Sequence, residues 1–250
     1  MMVEPTPEIT KAELVYIHGM GFKPPKQELK YLWDYCLFDG HKNPEIAPSP
    51  LTDMAYYADL RDVKMTIHPG VMQELVDKAQ DTAMQAFTEY VIHDVYTYFY
   101  DKQRQSLMRS RMTELLDFHK PRIVLAHSLG TCIAYDALMS ANHEVEAFIT
   151  LGSPLGLEFV KAHQRLIHKL QKLVIPPTVK NWHNFFDPED PVSLNQALEK
   201  SYKDQYGQGV LDNIIRNPDN KPGYTPTAAH SGEGYLSHPR VRALIGDLLT

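Results

Sequence analysis

Short apolar runs in this chain stop repeatedly at turns built from small or polar residues, and helix-spaced segments separate them. The runs are "AELVYIHGMG" (12–21), "RIVLA" (122–126) leading into "HSLG", "EAFITLGSP" (146–154) and "VKNWHNFFD" (179–187). A short apolar run bounded by turn residues reads as a buried strand. Strands that alternate with helices predict an α/β fold: a mostly parallel, twisted sheet with helices on both faces. In such sheets, ligands sit beyond the carboxyl ends of the strands. Four turns are therefore expected along one edge: His18-Gly19-Met20-Gly21, His127-Ser128-Leu129-Gly130, Gly152-Ser153-Pro154 and Asp187-Pro188-Glu189-Asp190.

The helices are expected over "KQELKYLWDYCLF" (26–38), "LGTCIAYDALMS" (129–140), "LEFVKAHQRLIHKL" (157–170), "SLNQALEKSY" (193–202) and "HPRVRALIGDLL" (238–249). Pro239 stands near the start of the last, where a missing N–H costs little. "MAYYADL" (54–60) is a further strand candidate, and residues 203–229 read as a long loop. From Val71 to about His119 there is neither proline nor glycine, which predicts helix with a break near Tyr100. This stretch is longer than one crossover needs and carries Phe87, Tyr90, Tyr96, Tyr98, Phe99 and Tyr100. It reads either as a cap over the strand ends that shapes an apolar pocket, or as a packing helix with an extension or a dimer contact.

A chain of 250 residues with no linker or repeat fits one domain with its own core. The net charge of -6 argues against nucleic acid as the main partner. The start "MMVEPTPEITKAEL" lacks the basic-then-apolar pattern of a signal peptide, and no run approaches the length of a membrane span. The expectation is a cytoplasmic protein with no integral membrane segment. Cys36 and Cys132 lack metal-type spacing, and the histidines form no H-E-x-x-H motif, so neither a metal nor another cofactor is expected.

Ser128 is the focus of the chemistry. A serine hydroxyl is a poor nucleophile unless a base takes its proton and donors hold the resulting oxyanion. A sharp strand-to-helix turn projects the hydroxyl and sets helix N-terminal amides beside it. Such a turn needs small residues two before and two after the serine, here Ala126 and Gly130. The competing reading makes Ser128 an ordinary N-cap of the following helix. Upstream, the glycines of "HGMG" permit close approach of a backbone N–H to an oxyanion, with Met20 as donor alongside Leu129. His18 is read as orienting that loop together with Gly19 and Gly21, and His127 as shaping the pocket wall.

For a strand–turn–helix nucleophile of this kind, the acid and then the base follow the serine in chain order. "NFFDPEDPVS" offers Asp190 first, Asp187 second and Glu189 third, the remaining two acting as turn formers. After it only His230 and His238 remain, and His230 is favoured because His238 abuts Pro239 at a helix start.

Together, "VYIHGMG", "IVLAHSLGTCIAYDAL", "FITLGSPLGL", "NFFDPEDPV" and "HSGEGYLSHPRV" resemble the lipase- and esterase-like branch of the α/β-hydrolase superfamily. The likeness spans about Leu14 to Leu249 and is loose between about 40 and 120. It implies a triad of Ser128, Asp190 and His230, with an oxyanion hole from the amides of Met20 and Leu129. Ala126 departs from the usual first glycine of the G-x-S-x-G elbow. The implied activity is cleavage of a small-molecule or lipid-like carboxylic ester. The alternatives are acyl transfer or amide cleavage on the same fold, or a binding scaffold without catalysis.

Overall fold

The computed structural model describes residues 10–21, 23–60, 93–193, 197–219, 221 and 226–250. Its strands are β1 (Leu14–Ile17), β2 (Thr52–Ala55), β3 (Ile123–His127), β4 (Val145–Leu151), β5 (Val179–Phe186) and β6 (Leu211–Ile214). All pair in parallel in the order β2-β1-β3-β4-β5-β6. The helices are α1 (Lys26–Leu37), α2 (Lys102–His119), α3 (Leu129–Leu138), α4 (Glu158–Ile167), α5 (Gly232–Ser237) and α6 (Pro239–Leu249), with a further helical segment over 93–100.

Side-chain alternation along the strands builds two apolar layers. Val15, Ile17, Val124, Ala126 and Phe148 point to one face, where Tyr98, Met112, Leu116, Ile133 and Val160 of the segment 93–100, α2, α3 and α4 cover them. Leu14, Tyr16, Ile123, Leu125 and Ile149 point to the other, against Trp33 of α1, Leu236 of α5 and Ile245 of α6. The central strands are therefore buried on both sides, which is why they read as continuous apolar runs. Each large side chain so removed from water contributes about 1.5–3 kcal/mol.

The register aligns the strand ends. Ile17 faces Ala126, His127 faces Leu151, Leu151 faces Phe185, and Phe186 faces Ile214. The turns that follow β1, β3, β4 and β5 consequently share one edge. Because β2 lies on one side of β1 and β3 on the other, the order reverses between β1 and β3, opening a crevice there.

Several sequence expectations change. The strand expected over 54–60 is shorter and earlier, ending at Ala55, and Ala58–Leu60 form a 3₁₀ turn. The helix expected over 193–202 is not formed over 197–202, where the Asp212 carboxylate accepts the Leu198 and Glu199 N–H groups and holds the backbone in turns. Within the expected loop 203–229 lies β6, an edge strand. The helical stretch does break after Tyr100. Asp101 is extended and accepts the Arg104 N–H at 3.0 Å, capping α2. Tyr98, Phe99, Met108, Met112 and Leu116 of this stretch belong to the core, while the 71–92 part of the suggested cap lies outside the described residues. Among the described residues, no helix is long and apolar enough to cross a membrane.

Candidate active site

The turn after β3 is sharp because Ser128 takes φ 55° and ψ -131°, a left-handed conformation that a non-glycine residue holds only when its surroundings enforce it. The enforcement is visible. The Ser128 N–H donates to Leu151 O at 3.0 Å, and its carbonyl accepts the Thr131 N–H at 2.9 Å and the Thr131 hydroxyl at 2.7 Å. Such a conformation costs on the order of 1–3 kcal/mol. Ser128 occupies the N-cap position of α3 but makes no side-chain cap bond. Its Oγ lies instead 2.8 Å from His230 Nε2. The hydroxyl expected to project from the turn is buried.

The two small positions around Ser128 differ in stringency. A Cβ on Gly130 would stand 2.5 Å from His18 O and 2.7 Å from Ile17 O, so this glycine lets α3 approach the end of β1. The methyl of Ala126 joins the apolar layer with Val15, Ile17 and Leu129 and fits there. Glycine is needed at one position and not at the other.

His230 ends a 3₁₀ turn over Pro226–His230, and its ring is buried. Its Nδ1 lies 2.9 Å from both Asp190 oxygens. A carboxylate accepts and does not donate, so the proton sits on Nδ1 and the Nε2 lone pair faces the Ser128 hydroxyl. Asp190 is held in turn by the Val192 N–H at 2.8 Å and by the Tyr235 hydroxyl at 2.8 Å.

The other acids of the turn do different work. Asp187 accepts the Glu189 and Asn217 N–H groups, each at 2.8 Å, and shapes the backbone. Glu189 is exposed and pairs with Arg216. His238 caps α6, its Nδ1 accepting the Arg240 N–H at 3.2 Å.

The loop after β1 closes the site from the other side. A Cβ on Gly19 would lie 2.6 Å from Ser128 Cβ and 3.3 Å from its Oγ, so backbone packs directly on the serine. His18 is fixed as a neutral ring. It donates from Nδ1 to Gly19 O at 2.6 Å, accepts the Tyr57 N–H on Nε2 at 3.1 Å, and stacks on the Tyr57 ring at 4.1 Å. Gly21 supplies φ 92° where the loop turns away. Met20 is buried beside Gly19, and Leu129 opens α3, so its amide is among the first-turn N–H groups without an intrahelical acceptor.

His127 donates from Nε2 to the His230 carbonyl at 3.0 Å, and the two rings lie 4.7 Å apart. Burial, then His230 and Lys23, hold the His127 imidazole well below its ordinary value, so it stays neutral. Tyr235 shows the complementary effect: burial first, then Asp190, push its phenol well above its ordinary value and keep it a donor.

Sequence reading missed Tyr235 and Asn217, and placed Gly152 on the ligand edge without giving it a role. Asn217 donates from its side chain to Ala229 O at 3.1 Å and Ser231 O at 2.9 Å, clamping the segment that carries His230. Gly152 has φ 53°, and a Cβ there would lie 2.6 Å from Asp190 Oδ2. Glycine at the end of an apolar run was the one available signal. The partners of Tyr235 and Asn217 are far away in sequence and no motif spacing encodes them.

Comparison with protein-family models, with curated proteins and with solved structures gave no match.

Proposed function

We propose that this chain is a serine hydrolase of the α/β-hydrolase type that cleaves carboxylic esters through an acyl-enzyme. The observation that carries the reading is the relay Ser128 Oγ, His230 Nε2, His230 Nδ1, Asp190, with separations of 2.8 and 2.9 Å at the crevice edge of a parallel sheet. Ser128 Oγ attacks the acyl carbonyl while His230 Nε2 takes its proton. The carbonyl oxygen becomes an oxyanion held by the amides of Leu129 and Met20. The C–O bond to the alcohol breaks, and the alcohol leaves with the proton from His230. Water then attacks the acyl-serine, giving its proton to His230, and the acid departs as Ser128 regains a proton. The net reaction is ester plus water to acid plus alcohol. Asp190 keeps the imidazole in the productive tautomer and stabilises the imidazolium.

The test is a fluorophosphonate probe followed by mapping of the label. Labelling at Ser128, lost in Ser128→Ala, and hydrolysis of p-nitrophenyl acetate support the reading. Absence of labelling in folded protein overturns it in favour of a scaffold without catalysis.

A further inference from the structure

Thr131 is the third residue of α3 and is buried. The Ser128 carbonyl already accepts the Thr131 N–H at 2.9 Å, yet the Thr131 hydroxyl donates to the same oxygen at 2.7 Å. A helical threonine that bonds a carbonyl one turn back is common. What sets Thr131 apart is a second buried hydroxyl behind it. Ser153, in the turn after β4, has its Oγ 2.8 Å from Thr131 Oγ1. Thr131 has one hydroxyl proton and directs it at the Ser128 carbonyl, so Ser153 is the donor between the two. Ser153 Oγ in turn accepts the Leu155 N–H at 3.2 Å, at the head of the 3₁₀ turn Pro154–Gly156.

The result is one directed chain: Leu155 N–H, Ser153 O–H, Thr131 O–H, Ser128 C=O. Neither end needs the link between the hydroxyls. The carbonyl is paired through the Thr131 N–H, and Ser153 caps its own turn. The effect of the link falls on the peptide unit to which the Ser128 carbonyl belongs, and the other end of that unit is the Leu129 N–H. A trans peptide is planar, with its N–H pointing opposite to its C=O. Two donors that fix the carbonyl therefore fix the direction of the N–H. Hydrogen bonds in series also polarise one another, so a carbonyl that accepts two donors makes its own N–H a stronger donor.

Resting on the serine-hydrolase reading, in which the Leu129 N–H holds the oxyanion, we infer that Thr131 and Ser153 are positioning residues for that donor. Their hydroxyls aim and strengthen the Leu129 N–H through one peptide unit, and neither touches the substrate. The Gly152-Ser153-Pro154 turn thereby serves both halves of the site. Gly152 leaves room for Asp190 and His230, and Ser153 supports the oxyanion side.

The test measures kcat/KM for p-nitrophenyl acetate and the inhibition constant of trifluoroacetone in the native protein, Thr131→Val, Thr131→Ser and Ser153→Ala. Ser128 Oγ adds to the ketone carbon, the carbonyl electron pair moves to oxygen as an oxyanion, and the serine proton passes to His230. Losing a whole oxyanion donor costs about 10²–10³ in kcat, so weakening one in Thr131→Val should lower kcat/KM about tenfold. The trifluoroacetone constant should rise by the same factor, a parallel that loosened packing alone does not produce. Thr131→Ser keeps the hydroxyl and should restore both values. Ser153→Ala removes only the outer link and should move both the same way by about two- to threefold. Native values in Thr131→Val overturn the inference. If Thr131→Val does not fold, native values in Ser153→Ala overturn it. In either case Ser128 still labelled by fluorophosphonate leaves the hydrolase reading standing, and failure of the native protein to label overturns both.

Discussion

The Tyr235 hydroxyl lies 2.8 Å from Asp190 Oδ2, on the carboxylate that also meets His230 Nδ1. The same phenol oxygen accepts the Asp187 N–H at 2.9 Å. One side chain thus ties Asp187 and Asp190 of the β5 turn together. Tyr235→Phe removes a donor that fixes the Asp190 carboxylate and so loosens its hold on the His230 ring. kcat/KM for ester hydrolysis should fall. The Asp187 N–H loses its acceptor, so unfolding in urea should show a loss of about 1–3 kcal/mol. Ester turnover and urea titrations of the two proteins check both effects.

Gly152 makes the acid–base pair sterically possible. A methyl there would stand 2.6 Å from Asp190 Oδ2 and 3.0 Å from His230 Nδ1, at a φ of 53°. Gly152→Ala should separate the pair and lower kcat by at least tenfold, with a strain cost on the order of 1–3 kcal/mol. Ester turnover and a thermal melt measure the two losses.

The two small positions of the elbow, Ala126 and Gly130, should separate in the same assay. Ala126→Gly restores the usual pentapeptide yet removes a buried methyl from β3, so it should leave kcat near the native value and cost about 0.5–1 kcal/mol. Gly130→Ala drives a methyl into the backbone of Ile17 and His18 and should cut ester turnover sharply. Equal losses in the two variants would contradict the account of why Ala126 is tolerated.

His127 should make stability depend on pH. Its folded-state value lies well below the ordinary histidine value of about 6.5, so the unfolded chain binds more protons as pH falls. The neutral ring is accommodated in full above about pH 6.5, and stability is lost as pH drops below that toward the folded value. His127→Gln removes this contribution. Its urea midpoint should fall less between pH 7.5 and pH 5 than the native midpoint does. His143, His183 and His238 are also held low by burial, but they are common to both proteins and cancel in the comparison.

The central strands and the order Ser128, Asp190, His230 could be read from the chain because their signals are local. Strands buried on both faces are apolar throughout, and each turn that follows carries its own glycine, proline or acid. β6 escaped because an edge strand needs no such pattern: in "LDNI", Leu211 and Ile214 are exposed and the polar pair between them half-buried. The helix expected over 193–202 was argued from spacing, and the competing carboxylate of Asp212 is far down the chain. Tyr235 and Asn217 were illegible for the same reason, since their side chains work through contacts across 45 residues for Tyr235 and 12 and 14 residues for Asn217.

Ser128 and His230 are 102 residues apart in the chain, and His230 and Asp190 are 40 apart. Every strand pair between them is parallel and closes through a crossover, so these contacts are entropically late. The relay therefore exists only once β3, β4 and β5 are docked and the C-terminal turn has latched through Asn217. During refolding from denaturant, helical ellipticity should return ahead of fluorophosphonate reactivity, which makes Ser128 a clock for the last step of assembly.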